Sequence, residues 1–140
     1  MSILAILISL ASLLVSLRAA TFARRVKAAE IRVATLAKVS ELFAAIARAH
    51  HLRSEILSLA RERSDSEIAN LVGGLEIEHA AMAIDQLHSK MSQVPVASSV
   101  SVYESFFHEI DHLSAISREI QARLQSARTE LENRAPSPEA

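Results

Sequence analysis

Apolar and polar positions change pattern along the chain, and each change predicts an element. Met1 to Leu17, MSILAILISLASLLVSL, carries no charged side chain. Beyond Arg18 the apolar residues continue at helical spacing: Val26, Ala29, Val33, Leu36, Val39, Phe43, Ile46, Leu52, Ile56 and Leu59. No Gly or Pro occurs before Gly73, so nothing obliges a first helix to stop before about Arg63. Such a helix is ~90 Å long.

Ser64-Asp65-Ser66-Glu67 predicts a restart. Ser64 and Glu67 have capping-box spacing, and Asp65 suits a helix N-terminus. A second helix is expected from Asp65 to Met91, with apolar stripes Ile68, Leu71, Val72, Leu75 and then Ile77, Ala80, Ile84, Leu87, Met91. The stripe changes phase at Gly73-Gly74, which predicts a kink or a local loop there. Ser92 to Ser101 is a connector in which Pro95 stops the second helix. Ser101 and Glu104 offer another capping box. The third helix is the most regular: Phe106, Ile110, Leu113, Ser117, Ile120, Leu124, Ala127 and Leu131 alternate spacings of four and three. Arg134 to Ala140, with Pro136 and Pro138, reads as a frayed tail.

The expected fold is all-α: an N-terminal transmembrane helix continuous with a long cytoplasmic helix, plus an antiparallel helical hairpin. The divisions are 1–23 anchor, 24–63 long basic helix, 64–134 acidic hairpin and 135–140 disordered tail. The hairpin completes a three-helix bundle on its own first helix, or a bundle or coiled coil in a dimer, and the pattern leaves both open.

The anchor is the most informative stretch. Ile3 to Leu17 as a helix spans ~22 Å, short of a ~30 Å hydrocarbon core. Extension through Ala23 reaches ~32 Å if Arg18 snorkels to the headgroups. Arg18, Arg24, Arg25 and Lys27 then mark the membrane boundary. All the basic residues follow the span, which predicts the N-terminus outside and the bulk in the cytoplasm. No basic residue precedes the apolar core, which argues for a retained signal-anchor over a cleaved leader. Ala5, Ser9, Ser12, Ser16, Ala19 and Ala23 recur at spacings 4, 3, 4, 3, 4. Small residues on one line let two helices approach closely in lipid, so this is the candidate oligomer seam.

Composition sharpens the picture in two ways. Cysteine is absent, which removes disulfides and thiol chemistry. The formal net charge of -1 hides an asymmetry: residues 1–63 carry ten basic and four acidic side chains, and residues 64–140 carry five and twelve. The basic half suits anionic lipid headgroups, and the acidic half offers it a neutralising surface.

Candidate chemistry is sparse. His108-Glu109-Ile110-Asp111-His112 fits the H-E-x-x-H pattern of zinc metalloproteases, in which two His one helical turn apart hold the metal and Glu is the base. Glu119, Glu130 or Glu132 is the available third ligand, but no strand is expected to hold a substrate. Glu76-x-x-His79 and Glu109-x-x-His112 resemble the ligand pairs of di-iron carboxylate bundles, with Glu41 or Glu55 as lone carboxylates. His50-His51 offers a site titrating near neutrality. No Gly-rich phosphate loop exists, and one Tyr with no Trp leaves no base-stacking platform for nucleic acid. The leading expectation is a non-catalytic scaffold, tether or accessory subunit. It needs no cofactor and binds the bilayer and either its own copies or a partner membrane protein. The alternatives are a metal-binding bundle or metal-dependent enzyme, and a soluble helical interaction protein.

Overall fold

A computed structural model describes residues 3–95, 98 and 100–134. Four helices form: α1 (Ile3–Glu62), α2 (Ser66–Gly73), α3 (Ile77–Gln93) and α4 (Val100–Asn133). The chain is all-α, and the hairpin packs back onto α1 of the same chain. The predicted disordered tail, 135–140, lies outside the described residues.

Cross-helix contacts fix the directions. Along α1, Lys38 meets Phe107, Ala45 meets Gln121 and Glu55 meets Arg128. Both numbers rise together, so α4 runs parallel to α1. Arg53 pairs with Glu78, while Phe43 stacks edge-on against His88, so α3 runs antiparallel to α1. Lys90 pairs with Glu109 at 3.1 Å, at the end where α3 hands over to α4. The result is an up-down-up three-helix bundle, with α2 folded across its distal end.

Every member of the predicted α4 seam from Phe106 to Leu131 is buried, with Tyr103 added one turn earlier. Ile77, Ala80, Ile84, Leu87 and Met91 of α3 are buried as well. The stripe expected on α1 needs correction. Val39, Ile46 and Ile56 are buried, but Val26, Val33 and Phe43 are exposed. The face that enters the bundle is Ala28, Thr35, Val39, Leu42, Ile46, Ala49, Ile56 and Ala60. Its small members leave room for α3 and α4 to pack closely. The hydroxyl of Thr35 donates to the Ile31 carbonyl at 2.6 Å, so this polar group is buried with its bond made.

Two caps differ from expectation. Ser64 lies two residues beyond the end of α1, with φ 54°, in the left-handed region. The N–H of Ser64 donates to Arg61 O at 3.1 Å, and that of Asp65 to Ala60 O at 2.8 Å. This is a Schellman closure of α1. The N-cap of α2 is therefore Asp65, whose carboxylate accepts from the Ile68 N–H at 3.1 Å. Ser101 falls inside the first turn of α4, which starts at Val100. At the glycine pair the structure has the local loop of the two alternatives expected there: residues 74–76 divide the second helix into α2 and α3 and let both Leu75 and Ile77 enter the core.

Ion pairs close the distal end. Arg134 bonds Asp65 at 3.0 Å, Glu67 at 3.1 Å and Glu130. Arg63 donates to the carbonyls of Leu131 and Arg134. The Arg53 guanidinium holds the Glu78 carboxyl down at about 2.

Two predictions follow from this packing. Replacement of fully buried Ile56 by Ala costs about 2–5 kcal/mol in urea unfolding of the full chain in mild detergent, whereas Met82→Ala, at an exposed position of α3, costs less than about 0.5 kcal/mol. Equal costs would contradict the seam. The Glu78 carboxyl is depressed on folding, so its contribution is present above the ordinary value of 4.5 and is lost as pH falls towards about 2. Glu78→Gln removes that part of the acid-induced loss, a difference of under about 1 kcal/mol for so exposed a pair. Superimposable pH profiles for the two proteins would contradict the assignment.

Candidate membrane anchor and basic collar

The helix α1 passes from residue 3 into the bundle without interruption. Every described side chain from Ile3 to Lys27 is exposed, and the first buried residue is Ala28. Ile3 is 77% and Phe22 70% exposed, so this end of α1 covers none of its apolar surface with its own chain. Among the described residues it is the one helix long and apolar enough to cross a membrane, with mean hydropathy 1.9 in its most apolar window and none of that window buried. Beyond its first turn, the backbone N–H groups of this segment bond within the helix, which is the condition a lipid environment imposes.

Ala5, Ser9, Ser12, Ser16, Ala19 and Ala23 are all exposed and lie along one line of this unbroken helix. Ala5 and Ser9 form part of a shallow apolar groove with Ile6, Leu10 and Leu13. The hydroxyl of Thr21 donates to the Arg18 carbonyl at 2.9 Å, so it makes no demand on its surroundings.

The charged residues that follow divide into two populations. Arg53, Lys90, Arg123, Arg128 and Arg134 all have carboxylate partners. Among the described residues, no ion pair reaches Arg18, Arg24, Arg25, Lys27 or Arg32. Lys38 lies over the Phe107 ring, 4.9 Å from its centre. The acidic half of the chain thus neutralises α1 at Arg53 and leaves the collar uncovered. The sequence shows the collar's charges, but only the fold shows that no carboxylate among the described residues pairs with them.

The metal candidates are not brought together. Among the described residues, no group of three or more His, Asp or Glu side chains converges closely enough to hold an ion. His108 and His112 face outward, and Glu109 between them is engaged by Lys90. Glu76 sits 3.9 Å from His79 on the surface of α3, and Glu55 sits 3.4 Å from His51 on α1. His50 is half-buried beside the Arg53–Glu78 pair. Glu41 lines a groove with Lys38, Arg48 and Asp111 and makes no ion pair among the described residues.

The site is therefore physical in character: an exposed apolar rod, a line of small residues, and an unneutralised cationic boundary. Comparison of the chain with protein-family models, with curated proteins and with solved structures finds no match.

Proposed function

We propose that this chain is a single-pass, membrane-anchored helical protein that works without catalysis, as a scaffold, tether or accessory subunit. The observation that carries the reading is the exposure of every described side chain in the apolar end of α1, beside a collar that makes no ion pair among the described residues. An apolar helix of this length left in water exposes far more contiguous apolar surface than soluble monomers tolerate. A bilayer removes that cost. The collar then meets the anionic headgroups, where each cation contributes on the order of 1 kcal/mol.

In this reading the N-terminus lies outside and the bundle in the cytoplasm, because every cation follows the span. The bundle starts within about two helical turns of Ala23, so it stands close to the membrane surface. Its distal end lies ~58 Å below that boundary along α1. The small-residue line joins the anchor to copies of itself in parallel.

Flotation tests the reading. The full chain floats with phosphatidylcholine vesicles and resists carbonate extraction, and recovery in the soluble fraction would contradict the span. Adding phosphatidylserine strengthens association, and Arg24→Gln/Arg25→Gln/Lys27→Gln removes most of that increment without releasing the protein. An increment unchanged by the triple substitution would contradict the role of the collar.

A further inference from the structure

The line of small residues does not end with the anchor. Continued from Ala23 at alternating spacings of three and four, it passes through Val26, Val33, Ala37, Ser40, Ala44 and Ala47. All six are exposed, on the side of α1 turned away from the buried face of Ala28, Val39 and Ile46. Glu30 is the one charged residue on this line, and the cations Arg24, Arg25, Arg32 and Lys38 lie off it.

Beside this line, α1 and α4 enclose a groove of about 310 Å³. Its floor is Leu42, Ala45 and Ile110, and its rim carries Glu41, Arg48, Asp111 and Arg118. Among the described residues, none of these four makes an ion pair. Ser117 also lines the groove; its hydroxyl is buried and, among the described residues, has no hydrogen-bond partner.

We infer that the cytoplasmic part of α1 pairs in parallel with α1 of a second copy, as an unbroken continuation of the anchor seam. The inference rests on the proposed anchoring, which places two copies side by side in the same orientation and at the same height. Flank residues then select a second copy as the occupant. In a parallel pair, each residue flanking the seam on one side meets the residue five positions later on the other helix. That rule sets Phe22 against Lys27, Phe43 against Arg48 and His50 against Glu55 of the second copy. Two of these are cation–ring contacts and one is a His–carboxylate contact, and each recurs by the two-fold axis. The remaining flank pairs, Ala29 with Ala34 and Leu36 with Glu41, bring no like charges together; on the seam itself Glu30 faces its own copy, the one like-charge contact of the register. Phe43, already 38% exposed, is the side chain that reaches the Arg48 edge of the groove. The 3.5-residue average repeat of the line makes the pair wind left-handed.

Disulfide trapping of the full chain in phosphatidylcholine–phosphatidylserine vesicles tests this, because native cysteine is absent. Ser16→Cys reports the anchor, Ala44→Cys the cytoplasmic seam, and Ser89→Cys on exposed α3 the random background. Trapping at both Ser16 and Ala44, well above Ser89, is the expected result. Trapping at Ser16 with Ala44 at background overturns this inference and leaves the anchor seam standing. Background at both positions overturns both. Trapping at Ala44 alone overturns the continuous seam. Arg48→Glu, at an exposed residue that holds no ion pair, lowers the Ala44 yield by about tenfold with helicity and the Ser16 yield unchanged. An Ala44 yield indifferent to that substitution overturns the register.

Discussion

An uninterrupted ladder of backbone hydrogen bonds from Ile3 to Glu62 is the constraint on which the rest of the molecule depends. Neither Gly nor Pro interrupts it. In hydrocarbon such a ladder is required, since no water can satisfy an open N–H or carbonyl. In water it is not sufficient, because a helix in isolation is stabilised mainly by burying one face. α1 meets the second demand by giving one side to α3 and α4 from Ala28 onward. The closure at Ser64 and Asp65 then turns the chain back, so that α3 descends and α4 rises along the same rod.

A helix that serves two environments must carry two faces, and α1 separates them cleanly. Its bundle face is a mixture of small and branched residues with one satisfied hydroxyl. The opposite face is exposed and built of Ala, Ser and Val, and most of its cations sit between the two. Because the ladder is unbroken, a rotation of the anchor about its own axis rotates the bundle as well. In the proposed anchoring, a seam between two anchors therefore sets which face the rest of α1 presents to a neighbour. The ion pairs of Arg134 and the hydrogen bonds from Arg63 to the Leu131 and Arg134 carbonyls hold α2 and the end of α4 to the end of α1, so the far tip follows that orientation.

The α4 seam was fully legible in the sequence because its large apolar residues occupy one face only. On α1, large apolar residues lie on both sides: Val33 and Phe43 point out, while Ala28, Thr35, Ala49 and Ala60 point in. Side-chain size therefore misleads there, although the period is right. Ser64 and Asp65 are both good cap formers, and the choice between them depends on how α1 closes. The anchor and its cations are readable from composition alone. That these cations make no ion pair among the described residues is a property of the assembled bundle. The His and Glu pairs of α3 and α4 were readable as motifs, but α3 and α4 turn them to separate surfaces and occupy Glu109 with Lys90.

The central claim is that one continuous helix passes from lipid into the bundle. A spin-label accessibility scan from Ser12 to Ser40, in vesicles, measures this residue by residue. The account predicts preferential contact with oxygen up to about Ala23, then with an aqueous nickel chelate on the outer face. It also predicts one helical period that keeps its phase across the boundary. A loss of phase between Arg18 and Ala28, or chelate access throughout the apolar segment, would contradict it.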